Sequence, residues 1–358
     1  MMRWIFNTAL RHTPSIIASL ITIIAITTMA ACGARDGRAV ADTARASAAT
    51  TPLPADVAAI PAGTFAMGGG AMGAMTMPND DRPHSATVAA FVIDRHEVTN
   101  ADFAEFVRAT KHRTTAERPI PWETLQQELP RGTPRLSDDQ LAPGSLIFHA
   151  PDHDVPLTDE RGWWRWTKGA DWQHPTGPAS DTAGLGQHPV VHVSWHDANA
   201  YCAWAEKRLP TEAEWEFAAR GGLAGKTFTW GDDAITPARA NVWQGSFPRR
   251  NTGQDGFVGT APVGSFPANG YGLSDMAGNV WEWTADRLAS GLMDAPGAES
   301  PDERIIRGGS FMCHASYCTG YRVAARMHAT PTTSLMNTGF RCAADRSRYA
   351  LDAKPTGT

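Results

Sequence analysis

The spacing of apolar positions changes several times along the chain, and each change marks a different kind of segment. Ile16 to Met29 is a nearly unbroken apolar stretch, preceded by Arg3 and Arg11 and ending in Met29-Ala30-Ala31-Cys32. It is short for a membrane-spanning helix and reads as a targeting segment. Residues 33–58 are rich in Ala, Thr, Arg and Asp, without an apolar period, the pattern of a flexible tether. Strands and turns are predicted next, around Phe65 to Gly68 and from Ala86 to Asp94. Three helices follow. Thr99 is a candidate N-cap with Asp102 three residues on, and Phe103, Phe106 and Val107 share one face. Ser194 and Asp197 open a second helix that carries Ala200, Tyr201, Cys202, Trp204 and Ala205. Thr211 and Glu214 open a third, which Gly221-Gly222 stops.

Between the first and second helices, residues 111–190 are poorly periodic and hold Trp163, Trp164, Trp166 and Trp172. A long ordered loop of this kind predicts a lid or a functional segment. Past residue 222 turns dominate, with short strands at Arg304–Arg307 and Gly339–Cys342. The 33 glycines and 25 prolines exceed ordinary usage. With 13 tryptophans, they point to loops pinned by buried rings rather than to long helices. Hydrophobic residues make up 42%, enough for a core, which excludes a disordered chain. A formal charge of −5 and the lack of a basic run exclude nucleic acid as a partner. No internal repeat interrupts the remainder. One α+β domain is expected over 59–345, with a tail at 346–358.

Cysteine brings in chemistry. Small residues before Cys32 resemble a bacterial lipoprotein cleavage box, which implies a lipidated Cys32; an ordinary cleaved signal after Ala31 is the other reading. Four further cysteines, Cys202, Cys313, Cys318 and Cys342, allow three full pairings. Cys313 and Cys318 lie five residues apart among Arg, His, Tyr and Gly. Two thiolates in one turn suit a soft ion such as Cu(I), whereas a closed zinc site needs four ligands. Spacing alone favours a local disulfide. A second inventory is oxygen-rich: Asn241-Val242, Asn251 to Phe257, and Asp275 to Glu282. Calcium takes such carboxylates, amides and carbonyls, and plain Asx turns use the same residues.

Several segments taken together resemble the formylglycine-generating enzyme family, also called sulfatase-modifying factor. They are Ala62–Gly68, Asp94–Phe103, His188–Trp195, Lys207–Glu216, Asn241–Phe247, Asn269–Leu273, Gly278–Trp283, Arg307–Arg326 and Gly339–Ala344. The Cys313-His-Ala-Ser-Tyr-Cys318 run is the specific one and is similar to the catalytic two-cysteine subgroup. The resemblance implies a C-type-lectin-like variant fold with little regular secondary structure. It also implies an oxidase that converts a cysteine in a Cys-x-Pro-x-Arg-like segment of type I sulfatases to Cα-formylglycine. Cys313 and Cys318 would bind Cu(I), with dioxygen as co-substrate and Ser310 beside the reacting sulfur. Trp281, His314 and Asn337 would line the substrate pocket. Asn241, Val242, Asp255 and Phe257 would hold one calcium ion and Asp275, Gly278, Val280 and Glu282 another, with Glu97 a weaker candidate. Cys202 would pair with Cys342, while a second family bridge is replaced by Ala219 and Val323. The expected whole is a monomeric, exported enzyme, anchored by lipid and facing the periplasm. A lectin-like binding or assembly module without catalysis is the alternative.

Overall fold

The computed structural model describes residues 51–69, 83–129, 132–288 and 302–350. The targeting segment and Cys32 lie outside the described residues. The α-helices among them are α1 (Asn100–Thr110), α2 (Trp122–Glu128), α3 (Trp195–Trp204) and α4 (Glu212–Arg220). The helices α1, α3 and α4 form where their capping boxes place them. In each, the side chain of Thr99, Ser194 or Thr211 accepts the N–H of the acidic residue three positions on, and that carboxylate accepts in return. Gly221 ends α4 at φ 56°. Helix α2 was not predicted. It is one short piece inside 111–190, without a side-chain cap, and packs Leu125 with Leu129 and Leu141 in a small core of its own.

Strands are short and spread over several sheets. The four-stranded sheet runs Arg326–Ala329, Arg304–Arg307, Trp281–Arg287, Thr338–Gly339, antiparallel except for the last pair. A three-stranded antiparallel sheet sets Phe91–Asp94 between Val57–Ile60 and Ala343–Asp345. The stretch Ala86–Asp94 is therefore two strands: His84–Val88 pairs with Gly63–Met67 in a separate ribbon. Phe91–Asp94 is buried on both faces, so it carries no alternation to read. Val57–Ile60 begins inside the stretch read as a tether, because Val57 and Ile60 are fully buried in this sheet. Thr51–Pro52 pairs with Tyr349–Ala350 of the tail, in parallel. The predicted strand Gly339–Cys342 is interrupted. Its carbonyls at Phe340 and Cys342 instead accept the N–H groups of Val98 and Asp94.

Tryptophans do pin the long segment. Trp172 meets Phe103 edge-on at 5.3 Å in the main core, and Trp163 meets Phe247 at 5.4 Å. Cys202 and Cys342 form a disulfide, Cα atoms 5.6 Å apart, that ties α3 to the last sheet. Ala219 and Val323 pack together in the apolar cluster around Trp215.

One ion-pair network joins α4 to the four-stranded sheet. The Arg307 guanidinium is fully buried and bonds Glu216 and Glu212. Arg326 bonds the other oxygen of Glu212 at 2.7 Å, and Arg220 bonds Glu216 at 2.6 Å. Arg307 also donates to the carbonyls of Val323 (2.9 Å) and Ala324 (3.2 Å). It thereby holds residue 307 and residues 323–324, the two ends of the intervening loop, at one point. Elsewhere, buried His192 at φ 58° joins Ser145 Oγ (2.7 Å) to the Pro175 carbonyl (2.9 Å). Burial lowers its pKa to about 4.

Two outcomes follow from these buried charges. Glu216→Ala removes the carboxylate paired with Arg220 and one of the two paired with Arg307, and should cost about 3–5 kcal/mol in urea denaturation, far above a surface substitution. His192 behaves differently with pH. The unfolded ring takes a proton near pH 6.5 and the folded ring only near 4, so its contribution is intact above 6.5 and lost as pH falls. Stability should drop by about 2 kcal/mol from this residue between pH 7 and pH 5, and His192→Gln should remove that part of the slope.

Candidate active site

The loop that Arg307 closes at its base carries most of the candidate residues. Gly308 and Gly309 turn the chain at φ 94° and 74°, a region other residues avoid. A Cβ on Gly309 would stand 2.6 Å from the Tyr321 nitrogen, and one on Gly320 2.4 Å from the Trp281 ring. The two passes of the loop therefore touch backbone to backbone, with Trp281 laid against them.

Above this crossing, Cys313 N–H donates to Ser310 O (2.8 Å), and the Cys313 carbonyl accepts Trp243 N–H (3.0 Å). Tyr317 and Cys318 both donate their N–H to the His314 carbonyl, at 2.9 and 2.8 Å. This turn brings the two cysteines together, with Cα atoms 4.7 Å apart and the sulfurs joined as a disulfide. Both residues are buried. Opened by reduction, the same pair presents two convergent soft donors, the set that suits a cuprous ion. Ser310 Oγ accepts Asn337 Nδ2–H at 3.0 Å, and Trp281 N–H donates to the Asn337 carbonyl at 2.9 Å. Asn337 Oδ1 is buried without a partner. His314 sits half-buried at the rim, where desolvation lowers its pKa, and its Nδ1 faces Ser316 Oγ at 2.8 Å. All six predicted residues thus gather around one loop.

Tyr317 and Glu160 were not singled out by sequence. The Tyr317 ring stacks on Phe247 at 4.5 Å and meets Trp163 edge-on, and its hydroxyl donates to Glu160. Burial raises the Glu160 pKa, and the tyrosine hydrogen bond opposes that rise. The place of Tyr317 between the two cysteines was a usable signal. Glu160 gave none, lying in a segment without a period.

The oxygen-rich segments form two clusters. In the first, Gln244 Nε2–H donates to the Val242 carbonyl (3.0 Å) and Asp255 Oδ2 (2.6 Å), while Asp255 Oδ1 accepts Phe257 N–H. Asn241 Oδ1 is buried and unpartnered. Val242 and Asp255 therefore converge on one donor, and a hard cation fits that convergence. In the second, Asp275 holds φ 60° and Oδ2 accepts Gly264 N–H, but its Oδ1 has no partner. Glu97 Oε1 accepts Asn279 Nδ2–H, and its Oε2 accepts no hydrogen bond, with the Arg341 guanidinium 4.0 Å away. Both oxygens of Glu282 already accept hydrogen bonds, Oε1 from Arg341 and Oε2 from Arg341 and Trp215. Gly278 and Val280 lie on the chain between these two acids. Burial raises the pKa of Asp275 to about 6 and that of Glu97 well above its usual value. Asp275 and Glu97, rather than Glu282, carry the unsatisfied oxygens a cation would need. No group of three or more His, Cys, Asp or Glu side chains meets the geometry of a formed metal site among the described residues.

Comparison with known proteins fits this arrangement. Residues 42–346 match the sulfatase-modifying factor enzyme 1-like domain. The formylglycine-generating enzyme of Thermomonospora curvata is 46% identical over 299 residues, covering 80% of this chain and 92% of that one. A protein named inactive C-alpha-formylglycine-generating enzyme 2, from Bos taurus, is 44% identical over 265 residues, covering 73% and 79%. The solved structure of PvdO from Pseudomonas aeruginosa shares the fold, with a TM-score of 0.52 at 24% identity over 81% of this chain and 94% of that one. The α+β fold with little regular structure, the two-cysteine loop and these matches together place the chain in the formylglycine-generating enzyme family of sulfatase-modifying oxidases.

Proposed function

We propose that this protein oxidises a cysteine in a Cys-x-Pro-x-Arg-like segment of a type I sulfatase to Cα-formylglycine, using Cu(I) and dioxygen. The observation that carries the reading is the convergence of Cys313 and Cys318 beside the Ser310–Asn337 pair. Cys313 and Cys318 would hold the copper ion, which when bound supplies one-electron chemistry between the substrate thiol and dioxygen. In the net reaction the substrate cysteine loses two hydrogens from carbon and sulfur, and dioxygen accepts them with their electrons as hydrogen peroxide. An external thiol supplying two more electrons would carry the oxygen to water. Hydrolysis of the resulting thioaldehyde releases hydrogen sulfide and leaves the aldehyde.

The chain's own residues prepare the place for this. Burial of both cysteines and the Trp281 ring keeps bulk water from the sulfurs. Ser310 is fixed by Asn337, whose free Oδ1 offers an acceptor to a donor on the incoming peptide. Desolvation lowers the pKa of half-buried His314, which favours its neutral form. Calcium would bind at Asn241, Val242 and Asp255 and, in the second cluster, at Asp275 with Glu97, screening buried negative charge beside Arg341.

The reading extends to location. The apolar stretch before Met29-Ala30-Ala31-Cys32 supports an exported protein anchored by lipid at Cys32 and facing the periplasm. There it would act as a monomer on unfolded sulfatase segments. A non-catalytic assembly module is the competing reading, and a 44% identical relative named inactive keeps it in view.

Activity is read by mass. Reduced protein with Cu(I), oxygen and a cysteine peptide should give a product that has exchanged sulfur and two hydrogens for one oxygen. Cys318→Ala should fall to background turnover; a peptide left unchanged by the unaltered protein would sink the oxidase reading. Calcium is read by stability. Adding it to chelated protein at a hundredfold excess over Kd should stabilise by about 2.7 kcal/mol per site. Glu97→Gln with Asp275→Asn should lose the second site's share of the Tm rise, and a Tm indifferent to calcium would reject both sites.

A further inference from the structure

Glu160 is a half-buried carboxylate outside the residues that define the site, 157 positions from the tyrosine it holds. Its own position is well fixed. It opens a 3-10 turn, Glu160–Gly162, capped by Asp159, and its carbonyl accepts the N–H of fully buried Trp163 at 3.1 Å. Trp163 in turn borders Tyr317 at 5.4 Å. Tyr317 is thus gripped by Phe247 on its face, Trp163 at its edge and Glu160 at its hydroxyl.

The next residue is Cys318. Because Tyr317 and Cys318 donate to the same His314 carbonyl, the backbone of one cannot swing without the other. Between Cys313 and this point, Ala315 and Ser316 are exposed, and the His314–Ser316 contact is local. The tyrosine side chain is therefore one anchor of the far side of the turn, beside Cys318, which is itself buried in the main core. We propose that Glu160 is a positioning residue for the cysteine pair: by accepting the Tyr317 hydroxyl hydrogen bond it locks the 314–318 turn where Cys318 meets Cys313. Glu160 touches neither sulfur and acts only through Tyr317. The inference deepens the proposed function, since those sulfurs are the groups that would hold copper, but it is read on the sulfurs themselves and needs no turnover.

The test measures how readily the pair closes. The full chain is equilibrated in glutathione buffers at fixed pH, free thiols are alkylated, and the peptides are quantified by mass. Cys202–Cys342 serves as internal reference. Glu160→Ala should move the Cys313–Cys318 equilibrium toward the open dithiol by about tenfold, the loss of one hydrogen bond to a charged group, equal to about 30 mV. Tyr317→Phe should match it, and the double variant should go no further. Glu160→Gln, whose amide oxygen still accepts the hydroxyl, should restore most of the closure. An unchanged equilibrium in Glu160→Ala overturns the proposal, as does full additivity with Tyr317→Phe. An equal movement of Cys202–Cys342 overturns it too, since that would mean a generally loosened fold. Absence of peptide turnover would remove the proposed activity and leave this equilibrium to be judged on its own.

Discussion

The buried ion pair between Arg307 and Glu216 is the constraint on which the rest of the structure depends. Two charges with no solvent exposure are expensive to bury, and a partner lost from such a pair is costly. The guanidinium returns more than a charge contact. Its remaining N–H groups take the carbonyls of residues 323 and 324, so the ends of a loop of some fifteen residues meet on one side chain. Helix α4 then serves as the rigid support of that loop, although it contributes no side chain to the cysteines. The chain holds its reactive turn at the end of a lever whose fulcrum is a salt bridge in the core.

Much of this was legible in the sequence, and the reasons differ by element. The helices α1, α3 and α4 announce themselves by local hydrogen-bonding chemistry at Thr99, Ser194 and Thr211, which needs no tertiary help. Phe91–Asp94 and Val57–Ile60 were harder. Both faces of Phe91–Asp94 are covered, so alternation is absent, and one of its two partners, Ala343–Asp345, comes from the far end of the chain. Helix α2 is a single short piece whose apolar contacts close within its own segment. The cysteines and Ser310 could be placed because they lie in one recognisable block, Arg307–Arg326, whereas Trp281 and Asn337 lie outside it and are brought to it by folding. Glu160 could not, because its meaning exists only through a tyrosine brought to it by folding.

The oxygen clusters divide the same way. A sequence motif supplies the inventory of ligands but not their prior commitments. Glu282 reads as a ligand in the chain and is a counter-ion to Arg341 in three dimensions. Glu97, further away in sequence, holds the oxygen that is left over. Burial is the main cause of the raised pKa values of Asp275 and Glu97, and the repulsion among three acids that share one guanidinium adds to it.

The contact between Gly309 and Gly320 has a consequence for descent. Any side chain at either position would pry the loop open, whereas replacing a cysteine within it would leave the crossing undisturbed. The shape of the loop and its chemistry are therefore under separate constraint. A lineage could give up the sulfurs and inherit the architecture intact, so overall likeness among relatives records ancestry of the scaffold. Kinship in catalysis has to be traced through six consecutive positions, Cys313 to Cys318.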